Sequence, residues 1–443
     1  MRLGWVLLVY KRAMLQALLY IYQKGLYMAG YTEEEALEYV EENDVRFVRL
    51  AFSDMLGNHK NISIQPDMLA KAFDSGIAFD AFRILGYDDP KYRDLYLVPD
   101  PATLSVLPWR PQTGRVIRFY CDVVTQDGKP YPYDSRKFLA DTIKECREAG
   151  FSVRLGLRSE FYLFKNDEDG IPTLEPMDHG SYFDVAPLDR GENIRREICL
   201  SLSDMDVAPL SSHHEAGPGQ NEIEFRDAGA LQSADHFMTY KNVVTTIAAR
   251  NGLTASFEPK PIEGKPGNGF HIKIALFKEA QNLFDTDPDT VFSFMAGIFN
   301  RIREITVFLN TRKESYLRFG ENEAPKYLTW SHQNESRLFR VPVVHGKYAS
   351  CILRSPDSML NPYIAFAMLL QAGLLGVKNK EKLPEPLEKP GYLITDEERK
   401  KYLKLPLSLA EAIDVAQESD FLNDDKRKLI TERFLNTLKE NEL

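Results

Sequence analysis

The stretch Ser212-His213-His214-Glu215-Ala216-Gly217-Pro218-Gly219-Gln220-Asn221-Glu222-Ile223-Glu224-Phe225 sets several acidic side chains around a Gly-Pro-Gly turn. A loop entering a strand there can aim Glu215 and Glu222 into one cleft. Crowded carboxylates repel one another, and a cation lets them coexist. Oxygen ligands are hard, so the ion they suit is a hard one such as Mg2+ or Mn2+. A solvated acidic loop would have the same residues. Two further stretches carry candidate chemistry. Alternation along Arg158-Ser159-Glu160-Phe161 puts Arg158 and Glu160 on one face and Phe161 on the other. The same alternation sends His271 and Lys273 one way and Phe270, Ile272 and Ile274 the other. Gly264-Lys265-Pro266-Gly267-Asn268-Gly269 comes directly before His271, and its glycines let backbone approach a ligand closely.

The elements that must position these residues are legible in outline. Thr32-Glu33-Glu34-Glu35 reads as a capping box, continued by Ala36, Leu37 and Val40 at helical spacing. Residues 45–52 alternate as a strand, and Met55-Leu56-Gly57-Asn58 turns the chain into a second strand over 59–64. Pro66 opens a short helix through Phe73, and strands are expected over 103–109 and 115–124. Gln126-Asp127-Gly128-Lys129-Pro130 has turn residues without apolar periodicity and reads as a linker. Beyond it, helices are expected over 135–149, 192–205, 234–251 and 361–375, with two more after Ser408. Strands are expected over 153–164, 254–258, 271–276, 327–331 and 350–354. Without short regular βαβ spacing, this pattern favours an α+β fold with an antiparallel sheet backed by helices.

A chain of 443 residues exceeds one simple core, so two or more domains are expected. The divisions read are an N-terminal extension over 1–28, a small domain over 29–127 and a larger one over 128–443. Lys11, Arg12, Gln16, Gln23 and Lys24 interrupt the first segment, so no apolar run reaches the ~20 residues that span a bilayer. It also lacks a small-residue cleavage site, and reads as a non-native start or a loosely attached extension. The net charge of −10 sets aside nucleic acid as the main partner. Nucleotides stay compatible with it, being held locally by a metal and a few arginines. Cys121, Cys146, Cys199 and Cys351 are scattered without CxxC spacing, as reduced thiols of a cytoplasmic protein would be.

Several motifs stand in order along the chain: Ser212-His213-His214-Glu215 through Glu222, Gly267-Asn268-Gly269-Phe270-His271, Glu323-Ala324-Pro325, Trp330-Ser331, Arg340-Val341-Pro342 and Asn361-Pro362-Tyr363. With these the chain resembles a type I glutamine synthetase of the shorter bacterial kind, over roughly residues 32–440. The resemblance implies a small β-grasp-like domain followed by a catalytic domain built on a curved antiparallel sheet. It also implies stacked rings of subunits, usually twelve, with each site formed between neighbours. The implied reaction uses ATP to phosphorylate the side-chain carboxylate of glutamate, and ammonia then displaces phosphate. By position, Glu160, Glu215 and Glu222 match the ligands of one metal site. Arg318 and Arg354 match arginines that hold the substrate carboxylate, and Gly267 falls among the substrate-binding positions. Arg340 matches a nucleotide-phosphate arginine. Glu323 matches a flap glutamate that shields the acyl phosphate and helps deprotonate ammonium. Asp80 matches an aspartate that a neighbouring subunit lends to the ammonium site.

The chain also departs from the pattern that the resemblance implies. The implied second metal site takes two glutamates and a histidine; His271 is present, but Arg158 and Ile352 hold the glutamate positions. A divalent ion beside an arginine, with no carboxylate ligand, should not bind, so one cation is expected rather than two. The guanidinium of Arg158 can stand where that ion would be, since it suits phosphate oxygens. Phe82 and Arg83 follow Asp80-Ala81 in place of a Gly-Ser-Ser run. Pro266 replaces an asparagine that helps hold glutamate. Glu335 replaces an arginine facing ATP, with Arg337 near enough to compensate. Arg158 and Glu335 are expected to pair. Three functions fit these residues: a ligase joining ammonia to glutamate, a ligase for another amine, or a catalytically silent paralogue with a regulatory role. The Tyr392 region does not resemble a nucleotidylation motif, so no such control is expected.

Overall fold

The computed structural model describes residues 30–344, 346–390 and 393–442. The expectations for residues 1–28 and for Tyr392 lie outside the described residues. At the start, Thr32 caps the helix Glu33–Glu42 and Glu35 returns the bond to the backbone N–H of Thr32, the expected capping box. A six-stranded sheet follows. Its order is His59–Ile64, Val45–Ser53, Arg115–Val124, Asp94–Pro99, Ile77–Asp80, with Ser105–Val106 also on Arg115–Val124. Val45–Ser53 and Arg115–Val124 run parallel while the other pairs are antiparallel, so the sheet is mixed. Val48, Leu50, Leu97, Ile117 and Phe119 fill its core. The strand expected over 103–109 shrinks to Ser105–Val106, because Pro101 opens a helical turn ahead of it and Pro108 has no N–H to give a ladder.

The second unit is built on an eleven-stranded sheet whose main path is Trp330–Ser331, Phe339–Arg340, Cys351–Leu353, Phe270–Lys278, Ser152–Asn166, Gln220–Phe225 and Pro209–His214. All neighbours on this path are antiparallel except the first pair. Phe161, Ile223, Phe270, Ile272 and Ile274 are wholly buried beneath it. They pack with apolar side chains of the helices Ala230–Arg250, Pro288–Leu309 and Pro362–Asn379. Burying this face fixes which side chains the opposite face presents, since a one-residue slip would exchange the two.

The small domain is tied to the large one by polar contacts. Asn361 caps the helix Pro362–Asn379 through its side-chain oxygen and donates its amide to the carbonyls of Asp54 and Met55. Gly57, at φ +82°, makes the turn below; a Cβ there would come within 2.7 Å of the Asn361 backbone. Arg136 reaches Asp100, just past the strand Asp94–Pro99, and Asp122 of the first sheet, as well as Asp235 of the helix Ala230–Arg250. Among the described residues no helix is long and apolar enough to cross a membrane.

Candidate active site

Strand register assembles the site in two rows. In the first row His213 stands opposite Glu222, and Glu222 opposite Glu160. In the second, two residues along on the same face, Glu224 stands opposite Arg158, and Arg158 opposite His271. The Gly-Pro-Gly turn joins Pro209–His214 to Gln220–Phe225 and so returns Glu215 beside Glu222. The carboxylates of Glu160 and Glu222 and a ring nitrogen of His271 lie within 4.8 Å of one another, as do ligand atoms of His213, Glu215 and Glu222. Glu160 accepts the backbone N–H of Gly269 at 2.9 Å and the Gln220 amide at 3.1 Å. A Cβ on residue 269 would sit 3.1 Å from His271 Nε2 and 3.2 Å from Glu160 Oε1, so a glycine keeps the space between them open.

The electrostatics of the first row call for a cation. Burial and then the charges of Glu215 and Glu222 push the Glu160 carboxyl up to about 8. Burial and Glu222 push Glu215 up to about 7. Burial is the largest influence on the imidazole of His213 and would lower it, but its 3.0 Å bond to Glu222, its bond to the His214 carbonyl and the charges of Glu222 and Glu215 together raise it. Carboxylates that resist ionising together, with hard oxygens converging, fit a divalent cation. The surroundings of His271 differ. Burial, then Arg354, Arg158 and Arg318, hold its imidazole well below the usual range, and its Nδ1 is buried without a partner. Ile352, opposite Lys273 and Arg340 in the sheet, offers no oxygen.

Arg158 does not pair with Glu335, contrary to expectation. Its Nε lies 3.3 Å from Glu222 and its Nη2 3.2 Å from Glu224, the acids that the register sets next to it. Glu335 comes instead from the turn ahead of Phe339–Arg340 and engages Arg340 at 2.6 Å and Arg354 at 3.2 Å. Glu323 reaches the other side of Arg354 at 3.1 Å. Arg318 lies buried against Asp357 and the carbonyl of Pro356, with Gly267 packed on its stem. Arg337 spends its donors on the carbonyls of Leu387 and Lys389, holding that segment in place. Pro266 offers its carbonyl to the Tyr162 hydroxyl at 2.6 Å. Asp80 is exposed at the edge of the first sheet, where its carboxylate caps the turn at Phe82. Among the described residues no contact joins Asp80 to the carboxylate rows.

His213 is the site residue that sequence reading passed over. The signal for it was present, because a tight hairpin through Gly217-Pro218-Gly219 pairs His213 with Glu222. A third acidic group, Asp178, Asp189 and His214, is wholly buried. It is satisfied internally: His214 bonds Asp178, and Arg195 bonds Asp189.

Comparison with known proteins places these features in a family. The family model for the glutamine synthetase β-grasp domain matches residues 44–126, and that for the glutamine synthetase catalytic domain matches residues 132–443. A glutamine synthetase of Methanosarcina mazei is 42% identical over 403 residues, covering 89% of this chain and 90% of the relative. One from Staphylococcus aureus is 40% identical over 418 residues, covering 92% and 94%. A solved structure described as a GmaS/ADP complex superposes with a TM-score of 0.83 at 26% identity, covering 91% of this chain and 95% of that one. Plasmodium falciparum glutamine synthetase shares the fold, with a TM-score of 0.81 at 22% identity and coverage of 94% and 96%.

Proposed function

Because the chain belongs to the glutamine synthetase family, we propose that it joins ammonia to the side-chain carboxylate of glutamate using ATP, through a γ-glutamyl phosphate. The observation that carries this reading is the convergence of Glu160, Glu215 and Glu222 in one row beside a cluster of arginines. Those three carboxylates would hold one divalent cation, Mg2+ or Mn2+, which when bound neutralises charge on a transferring phosphoryl group. The similarity to an ADP complex supports nucleotide binding in the same cleft.

The chain's own side chains supply the rest. Arg340 and Arg354 offer guanidinium donors to phosphoryl or carboxylate oxygens, and Arg318 a third beside Gly267. Arg158 adds a fixed positive charge next to Glu222 where an acidic ligand would serve a second ion. A glutamate oxygen attacks the γ-phosphorus of ATP and ADP leaves. The ammonia nitrogen then attacks the acyl carbon and phosphate leaves with the former carboxylate oxygen. Burial raises the Glu323 carboxyl despite Arg354, which suits it to take the proton that ammonium must lose. Asp80 would act from a neighbouring subunit in a ring assembly, because within one chain it stands apart from the rows. Domains over 29–127 and 128–443, a dodecamer and a cytoplasmic location complete the reading.

Arg158 and Ile352 favour a second reading, a paralogue that binds ligands without turnover or that takes another amine. Purified chain, ATP, Mg2+ or Mn2+, glutamate and either ammonium or a panel of amines separate the cases. Phosphate release that requires ammonium is the expected result. Release with another amine only, or none at all from an assembled protein, would favour the second reading.

A further inference from the structure

Glu335 bridges the two guanidiniums that face the middle of the site. Its Oε1 accepts from Arg340 Nη1 at 2.6 Å, and its Oε2 lies 3.2 Å from Arg354 Nη1. Two arginines set on one carboxylate make the geometry of an anion seat. The seat has spare capacity: the Nε–H groups of Arg340 and Arg354 are buried without partners, as is Nδ1 of the neighbouring His271. Buried polar atoms left unpaired beside a cleft point to a ligand.

The occupant is poorly anchored compared with its seat. The side chain of Arg354 is only 4% exposed, whereas that of Glu335 is 36% and that of Glu323 is 64% exposed. Glu323 and Glu335 both press on Arg354, and like charges so close favour the departure of one. The turn carrying Glu335 is held separately, by Ser331 to Asn334 and by Asn334 to Ser336. The side chain can therefore swing out without the backbone moving.

We propose that Glu335 is an internal stand-in for an anionic substrate group: it fills the Arg340–Arg354 seat, and an incoming carboxylate or phosphoryl group must displace it. This deepens the ligase reading by naming a residue that sets how strongly the site takes its anion. Only the identity of the natural anion rests on that reading.

The test uses the full chain and its Glu335→Gln and Glu335→Ala variants, with inorganic pyrophosphate and L-glutamate as separate probes followed by calorimetry. Loss of the competing carboxylate should tighten binding of at least one probe by about tenfold in both variants. Thermal unfolding and assembly should stay unchanged. Unchanged or weaker binding of both probes in both variants would overturn the proposal and show that Glu335 holds the arginines in place for their ligand. If the parent chain makes no glutamine but the variants bind more tightly, the ligase reading falls while this inference stands. If it makes glutamine and the affinities do not change, the inference falls alone.

Discussion

Replacing Arg158 by Gln removes a positive charge from the rim of the carboxylate row without emptying its volume. The guanidinium lies 3.3 Å from Glu222 Oε1, and a metal–oxygen bond would add ~2.1 Å, so a cation on Glu222 would feel it from about 5 Å. A double and a single charge at that separation repel by about 1.7 kcal/mol at the dielectric of water, and roughly four times that at the effective value of protein. The Arg158 side chain is 35% exposed, so solvent screening favours the lower end, about 2 kcal/mol. Arg158→Gln should therefore bind the cation about 30-fold more tightly than the parent chain. Losing the partner of Glu222 also destabilises the cation-free state, which acts in the same direction. Equilibrium dialysis with Mn2+, read by electron paramagnetic resonance, measures affinity and stoichiometry together. Unchanged or weaker affinity in the variant would refute the view that Arg158 opposes a cation at this site.

Other consequences follow from the same contacts. Between the ordinary value of 4.5 and the raised values of about 7 and about 8, Glu215 and Glu160 keep protons in the fold that the unfolded chain has lost. The cation-free protein should therefore lose stability as pH rises through that window. Mn2+ should raise the unfolding temperature more at pH 8 than at pH 6 and release protons on binding; equal shifts at both pH values would contradict this. Asn361→Ala removes a helix cap and leaves the Asp54 and Met55 carbonyls short of donors, so it should cost roughly 2–3 kcal/mol in urea unfolding and loosen the small domain first. A loss under about 0.5 kcal/mol would show that this junction is not held by that side chain.

Much of this site could be read along the chain because strands alternate. Arg158 and Glu160 on one face, and His271 opposite the buried Phe270 and Ile272, follow from period-two spacing and a buried helix layer. Contacts between distant strands were not legible. Arg158 lies opposite Glu224 because Gln220–Phe225 pairs with the distant strand Ser152–Asn166 in that register, whereas Glu335 arrives from the turn ahead of Phe339–Arg340, three strands away in the sheet and nearer Arg340 and Arg354. Charge complementarity by itself could not choose between those acids. The helix Pro288–Leu309 was passed over although Val291, Phe294, Met295, Ile298, Ile302 and Ile305 recur at helical spacing along its buried side. The strand Pro209–His214 is mostly polar, and only its partner Gln220–Phe225 reveals it. Asp80 marks a different limit, since an edge residue of one sheet does not say which neighbouring chain it meets.

The most direct test of the central claim follows the oxygen atoms. Glutamate carrying 18O in its side-chain carboxylate is incubated with the purified chain, ATP, a divalent cation and ammonium, and the released phosphate is examined by mass spectrometry. If the carboxylate is phosphorylated and then displaced by ammonia, one labelled oxygen appears in phosphate for each glutamine formed. Phosphate without label, or no glutamine from a correctly assembled protein, would contradict it.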